Sequence, residues 1–282
     1  MSRGRGTMAH EIRNDDDRIR APAVRLIHRA LLATRRWTAE AGGAAADLLV
    51  PPVCAACHEP LGSHDALCPA CWRQIDFIRP PLCDRLGIPM PFDTGGPMIS
   101  AAAAANPPAY ERARAVARYD SVMRDLIRDF KFHDQHHGRR LFGRWLADAG
   151  RELLADADMI VPVPMARLRL LWRRFNQPAE LANELARRSG LPSRTDSLVR
   201  TRRTGPQPGR SQRERIAKVR GAFGVARAAQ AAVHGRAVLL VDDVVTTGAT
   251  VSACAMALKS AGARRVDVLA LALVTDQALV TR

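Results

Sequence analysis

From Arg112 onward, short apolar runs alternate with stretches in which apolar residues recur at helical spacing. Val116, Ala117 and Tyr119 predict a short strand, Met159 to Val163 a second, Val238 to Val241 a third and Val266 to Leu273 a last one. Between them, Ser121 is placed to cap a helix carrying Val122, Leu126, Ile127 and Phe130. A second helix over Leu141 to Leu154 carries Phe142, Trp145 and Leu146, and Asn176 caps a third with Pro178 in its first turn and Leu181 and Leu185 on one face. Val251, Cys254, Ala255 and Leu258 mark another. Uniformly apolar strands alternating with helices predict an α/β domain over residues 112–282, a parallel sheet buried on both faces and flanked by helices.

The first part of the chain reads differently. Residues 1–21 are polar and charged and predict a disordered tail, with Met8 as an alternative start. Over residues 22–49 the spacing of Val24, Ile27, Leu31 and Trp37 against Arg25, Arg29, Arg35 and Arg36 predicts a basic amphipathic helix, packed on the domain behind it or lying on a membrane surface. In residues 50–82, Cys54-x2-Cys57 and Cys68-x2-Cys71 form two closely spaced thiol pairs. A zinc ribbon uses this pattern, its tetrahedral ion standing in for a core so short a segment cannot build; a redox role would need only one pair. His58 and His64 lie nearby, but four cysteines complete the ligand set. Residues 83–111, rich in glycine and proline and holding the tract Ala101 to Ala105, read as a linker.

Charge and cysteine content narrow the setting. The formal net charge of +15 over 282 residues favours polyanionic partners, either nucleic acid or a heavily phosphorylated small molecule. Six cysteines, four of them in C-x2-C pairs, suit metal binding in a reducing compartment. No apolar run reaches the roughly 20 residues of a membrane span, and the N-terminus lacks a secretory apolar stretch, so the expected location is cytoplasmic.

Candidate chemistry concentrates in Val238 to Thr250, V-L-L-V-D-D-V-V-T-T-G-A-T. Asp242 and Asp243 end the apolar run at the strand's carboxyl end, where open α/β sheets collect ligands. The loop Thr246, Thr247, Gly248, Ala249 and Thr250 then leads into a helix and can turn backbone N–H groups and hydroxyls toward a phosphate. The acids suit a sugar and the amides a phosphate. A second anion site is outlined after the strand at Met159 to Val163, by Arg167, Arg169, Arg173, Arg174 and the Asn176 cap. The stretch holding Arg200, Arg202, Arg203, Gln207, Arg210, Arg213 and Arg215 reads as a mobile polar loop or a solvated basic face. Lys131, His133, His136 and His137 cluster without convincing metal-ligand spacing.

The thirteen-residue stretch resembles the phosphoribosyl pyrophosphate signature of type I phosphoribosyltransferases. Together with the C-x2-C pairs, Asp129-Phe130-Lys131-Phe132, Val161-Pro162-Val163-Pro164, Arg174-Phe175-Asn176-Gln177, Arg200 to Gln207, Arg215 and Gly221-Ala222-Phe223, it makes the chain similar to the ComF family (GntX-like, competence protein F) over roughly residues 48–282. The resemblance implies phosphoribosyl pyrophosphate as ligand, with Asp242 and Asp243 on the ribose hydroxyls and Thr246 to Thr250 around the 5′-phosphate. It further implies a pyrophosphate loop at Met165, Ala166 and Arg167, a hood loop spanning Arg200 to Arg215, and magnesium held by Asp242 or Asp243 directly or through water. Structural zinc would sit on Cys54, Cys57, Cys68 and Cys71. Transfer of the phosphoribosyl group to an unidentified acceptor is one implied activity. The other is a non-catalytic ligand sensor that meets single-stranded DNA or competence-machinery proteins. Three positions depart from the family pattern: Leu86 follows Cys83 in a degenerate second knuckle, Lys218 replaces asparagine, and Arg174 replaces glycine.

Overall fold

The computed structural model describes residues 51–132, 137–165, 176–201 and 221–275. The expected tail over residues 1–21 and helix over residues 22–49 lie outside these residues.

Four strands form one parallel sheet in the order β1-β6-β5-β2: β1 (Ala113–Arg118), β2 (Met159–Pro162), β5 (Ala237–Val245) and β6 (Arg265–Leu273). β5 is longer than its apolar run predicts, because β6 stays paired with it as far as Val245↔Leu273 while the β2 register ends at Pro162↔Val241. Alternate β5 residues enter opposite cores. Val238 and Leu240 pack with α8 (Ala249–Ser260), whereas Leu239 and Val241 face the layer of α3 (Ser121–Phe132), α4 (His137–Ala149) and α6 (Gln177–Ser189). Both faces are covered, and for that reason the strands read as nearly continuous apolar runs.

Two sequence expectations shift locally. Asp120, not Ser121, sits at the cap position of α3, since its carbonyl accepts from Arg124 N–H at 3.1 Å and Ser121 is already helical. The helix expected over Leu141 to Leu154 breaks at Gly150 into α4 and α5 (Arg151–Asp156). Gly150 lies so close to the sheet that a Cβ there would stand 2.5 Å from Leu269 Cδ2.

Both sheet edges are closed by chain outside the named strands. Along β1, Ile78 N–H donates to Val116 O at 3.0 Å and Arg118 N–H to Asp76 O at 2.9 Å, an antiparallel pairing. Along β2, Ile160 N–H donates to Pro192 O and Arg194 N–H to Ile160 O, both at 2.9 Å. Edges paired in this way offer no template to another strand. β3 (Leu198–Arg200) and β4 (Phe223–Val225) form a separate antiparallel hairpin. It is joined to β5 by a 3₁₀ turn and the one-turn α7 (Gln230–Val233).

The segment before β1 builds two lobes of matching design. In the first, Cys54 N–H donates to Glu59 O at 2.8 Å and His58 N–H to Cys54 O at 2.9 Å, and Cys68 caps α1 (Pro69–Arg73). In the second, Cys83 N–H donates to Ile88 O at 2.8 Å and Gly87 N–H to Cys83 O at 2.7 Å, and Ser100 caps α2 (Ala101–Ala105). His58 and Gly87 hold equivalent left-handed positions, with φ of 61° and 67°. The linker expected over residues 83–111 is therefore a folded lobe, and Cys83, Ile88, Ala103 and Tyr110 are buried in the same core as α8. The first lobe joins the opposite core through Ile75, Leu67 and Phe77. The lobes thus take one sheet face each, with the paired segment Asp76 to Ile78 crossing the β1 edge between them.

Candidate functional site

The carboxyl end of β5 brings the two acids and the hydroxyl-rich loop together. Beyond Val241 only the β6 side of β5 remains in register, so Asp242 and Asp243 stand where the β2 ladder has stopped. Asp242 is 8% exposed and Asp243 is half-buried. Each carboxylate accepts from the next backbone N–H: Asp243 N–H donates to Asp242 Oδ1 at 2.9 Å, and Val244 N–H to Asp243 Oδ1 at 2.7 Å. These local bonds help fix the carboxylates at the strand end.

Thr246, Thr247 and Gly248 then turn the chain into α8, which opens with Ala249 and Thr250. Gly248 occupies the cap position with φ 73°, a left-handed conformation that costs other L residues about 1–2 kcal/mol. Gly248 has no side chain to cap the first turn of α8, so its leading N–H groups have no acceptor from the cap residue. Such groups carry partial positive charge and suit a phosphate. Thr246 and Thr250 are exposed, Thr247 half-buried and Ala249 buried.

Cys254, one turn into α8, is fully buried. Burial pushes its thiol well above the ordinary range, the negative charge of Asp242 adds to the shift, and Arg200 opposes it. Arg200 belongs to β3 and stacks over the Phe223 ring of β4 at 5.6 Å, and Phe223 and Cys254 lie in one core. Met165 follows β2 and is half-buried. Ala166 and Arg167 of the expected pyrophosphate loop, and Arg202, Arg203, Gln207 and Arg215 of the hood loop, lie outside the described residues, as do His133 and His136. The Asn176 cap is formed: its Oδ1 accepts from Ala179 N–H at 3.4 Å.

A second constellation lies in the first lobe. The sulfurs of Cys54, Cys57, Cys68 and Cys71 all fall within 4.8 Å of one another, and those of Cys57 and Cys68 are 3.7 Å apart. A tetrahedral ion with metal–sulfur bonds of about 2.3 Å requires sulfurs about 3.8 Å apart, so the set fits zinc. Against the opposing effect of burial, hydrogen bonds from the backbone of Cys57, Cys68 and Ala56 bring the Cys54 thiol down to about 6. Neither His58 nor His64 joins this group.

In the second lobe the four equivalent positions hold Cys83, Leu86, Ser100 and Ala103. Ser100 N–H donates to Cys83 Sγ at 3.2 Å, as Cys68 N–H does to Cys54 Sγ at 3.3 Å in the first lobe. Leu86 and Ala103 have no metal-binding atom in their side chains, so these residues do not fit a second ion. The spacing Cys83-x2-Leu86 and Ser100-x2-Ala103 was present in the sequence, but a search for cysteines passes over it. Sequence reasoning also missed Ser252, which lies one turn beyond Gly248, and Tyr110, an aromatic just after Pro107-Pro108.

A double zinc ribbon domain profile matches residues 45–103, and a phosphoribosyl transferase domain profile matches residues 179–280. The DNA utilization protein YhgH of Escherichia coli K12 is 32% identical over 227 residues, covering 78% of this chain and 96% of that protein. Competence protein F of Haemophilus influenzae is 28% identical over 217 residues, covering 74% of this chain and 91% of that one. Among the described residues no helix is long and apolar enough to cross a membrane.

Proposed function

The chain belongs to the ComF family, which includes competence protein F and YhgH, and from this premise we propose that its parallel-sheet domain binds phosphoribosyl pyrophosphate with magnesium. The observation that carries the reading is the continuity of β5 with α8: two carboxylates at the strand end, then a left-handed glycine, then a helix start without a side-chain cap. In this reading Asp242 and Asp243 accept hydrogen bonds from the ribose 2′- and 3′-hydroxyls, and the loop from Thr246 to Thr250 surrounds the 5′-phosphate. Met165, Ala166 and Arg167 face the pyrophosphate, and Arg200 belongs to the hood. The carboxylates of Asp242 and Asp243 would hold magnesium directly or through water, the ion supplying charge neutralisation for the leaving pyrophosphate. Transfer to an acceptor would break the bond from ribose C1 to pyrophosphate and form one from C1 to the acceptor, whose proton leaves to solvent. The cysteine set of the first lobe would hold one structural zinc, and six free thiols suit the cytoplasm.

Hydrogen bonds to charged groups contribute about 1.5–3 kcal/mol each. Asp242→Asn with Asp243→Asn should therefore weaken phosphoribosyl pyrophosphate binding by about 10²–10⁴-fold in calorimetric titration with magnesium. Equal affinity in the double variant would remove the site. Incubation with labelled phosphoribosyl pyrophosphate and a panel of bases, followed by assay of pyrophosphate release, asks separately whether turnover occurs.

A second reading is supported by the names of the relatives and by the net charge of +15. Here the fold serves as a ligand sensor in DNA uptake, and the basic chain meets single-stranded DNA and competence-machinery proteins. Binding to single strands should then weaken linearly with log salt and lose slope when Arg202 and Arg203 are neutralised; a salt-independent signal would refute the electrostatic account.

A further inference from the structure

The phosphate loop is gripped from outside its own strand and helix. The segment from Ala109 to Glu111 runs alongside α8 and is fastened to it at two levels. Near the top, Ala109 N–H donates to Ser252 Oγ at 3.1 Å, and Ser252 N–H in turn donates to Gly248 O at 2.9 Å. Near the bottom, Glu111 pairs with Lys259 Nζ at 2.5 Å and also accepts from Val266 N–H at 2.9 Å. Tyr110 lies between these anchors, 3% exposed, with its hydroxyl 3.6 Å from the point a Cβ on Gly248 would occupy. The second lobe supports it from behind: Arg85 Nη1 donates to Tyr110 O at 3.3 Å, and Cys83 and Ile88 share its core.

A short loop of threonines with one glycine and one alanine has few side chains to pack, and ordering it on ligand binding costs about 1–2 kcal/mol per residue in backbone entropy. Contacts that hold it in the ligand-ready form beforehand reduce that cost. Tyr110 is suited to this. Its ring fills the core beside α8, and its hydroxyl abuts the one residue of the loop in the left-handed conformation. The second lobe, whose residues do not fit a metal, supports this contact through Arg85, Cys83 and Ile88.

We infer that Tyr110 is a positioning residue for the phosphate loop, and that the second ribbon lobe serves as a metal-free strut holding Tyr110 against Gly248 and the start of α8. The inference rests on the phosphoribosyl pyrophosphate reading for its consequence in binding but not for the strut itself. Hydrogen exchange of the full ligand-free chain tests the strut. Tyr110→Ala and Ser252→Ala should each speed exchange in residues 246–252 about tenfold, with β6 unchanged, and Tyr110→Phe, which keeps the ring, should give a smaller rise. Unaltered exchange over 246–252 in both truncations, or a rise spread equally through β5 and β6, would overturn the inference. Titration with phosphoribosyl pyrophosphate and magnesium tests the consequence: the dissociation constant should rise about tenfold in Tyr110→Ala and be largely restored in Tyr110→Phe. Wild-type affinity in Tyr110→Ala would refute the positioning role. If the wild type itself binds no phosphoribosyl pyrophosphate, the ligand reading fails while the exchange result still decides the strut.

Discussion

With zinc on the proposed cysteine site, its removal from the first lobe should be felt in the sheet domain, and the structure indicates by how much. Trp72 and Phe77 follow the last cysteine and pack on Trp145 of α4, with ring centroids 5.8 and 5.5 Å from that indole and 4.7 Å from each other. Arg144, next to Trp145, donates to the carbonyl of Asp65 inside the cysteine loop. Structural zinc contributes about 10–16 kcal/mol to so small a lobe, far more than its few apolar side chains can replace. Chelation or Cys57→Ser should therefore release the lobe. The two aromatic contacts of Trp145 contribute about 0.5–1.5 kcal/mol each, and exposing the buried Ile75 costs about 1.5–3 kcal/mol more. The loss, about 2.5–6 kcal/mol, is a large part of the usual 5–15 kcal/mol; it falls on the sheet face that Ile75 shares and leaves the core on the α8 face in place. In a background with Trp37→Phe and Trp172→Phe, tryptophan emission should shift to the red on chelation, and the thermal midpoint should fall on the order of 10 °C. Metal analysis of the loaded chain should return one zinc. Two zincs per chain, or an unchanged spectrum after complete metal removal, would refute the reasoning.

Two further effects follow from packing and charge. Gly150→Ala places a Cβ 2.5 Å from Leu269 Cδ2 and 3.0 Å from Leu146 O, so it should lower the urea midpoint by the equivalent of about 1–3 kcal/mol. Gly62→Ala, with nothing within 4 Å of its Cβ, should stay within about 0.5 kcal/mol of wild type; equal effects would show that the approach to the sheet is not what matters. Glu184 is 4% exposed on α6 and its carboxyl is held below the ordinary range, first by hydrogen bonding from Arg187, then by Arg188, with burial opposing. A depressed folded value means its contribution is complete above the unfolded carboxylate range and is lost as pH falls through the folded value. Glu184→Gln should thus be less stable than wild type at neutral pH, with the difference shrinking in acid; a pH-independent difference would exclude this ion cluster as the cause.

The signature site was legible in the sequence because its chemistry is local. A buried strand, two acids and a small-residue loop occupy consecutive positions, and β5, Gly248 and α8 follow them in order. Strand identity was legible for the same reason, but strand ends were not: β5 runs on to Val245 because Ala272 and Leu273, distant in sequence, remain its partners. Gly150 similarly gives no local sign that Leu269 lies against it. The second lobe was legible only in part, as Cys83 and Leu86 of a degenerate knuckle within a linker, for a different reason. Its repeat is carried by backbone turns at Cys83 to Gly87 and by the Ser100 cap, which many residue types can form, whereas the cysteines that advertise the first lobe are demanded by metal chemistry.

That difference bears on how each lobe is held to its own face of the sheet. A lobe whose four cysteines can close around an ion draws folding energy from that ion as well as from packing, and its Trp72 is left 46% exposed. A lobe without an ion has to draw the same energy from packing against something else. The second lobe does so: Cys83, Ile88, Met98 and Ala103 are each at most 8% exposed. Gly87 comes so near β1 that a Cβ would meet Ala113 O at 2.6 Å, and Arg114 ties Asp84 to Glu152 of α5 at 2.8 and 2.6 Å. The lack of a metal set at Cys83, Leu86, Ser100 and Ala103 and the deeper docking on the α8 face are therefore two aspects of one physical requirement. Introducing Leu86→Cys, Ser100→Cys and Ala103→Cys would test it, because a lobe that gains its own ion no longer depends on that docking. The triple variant should take up a second zinc and tolerate Arg114→Leu better than the wild type does; equal sensitivity to Arg114→Leu in both backgrounds would show that the docking serves some other end.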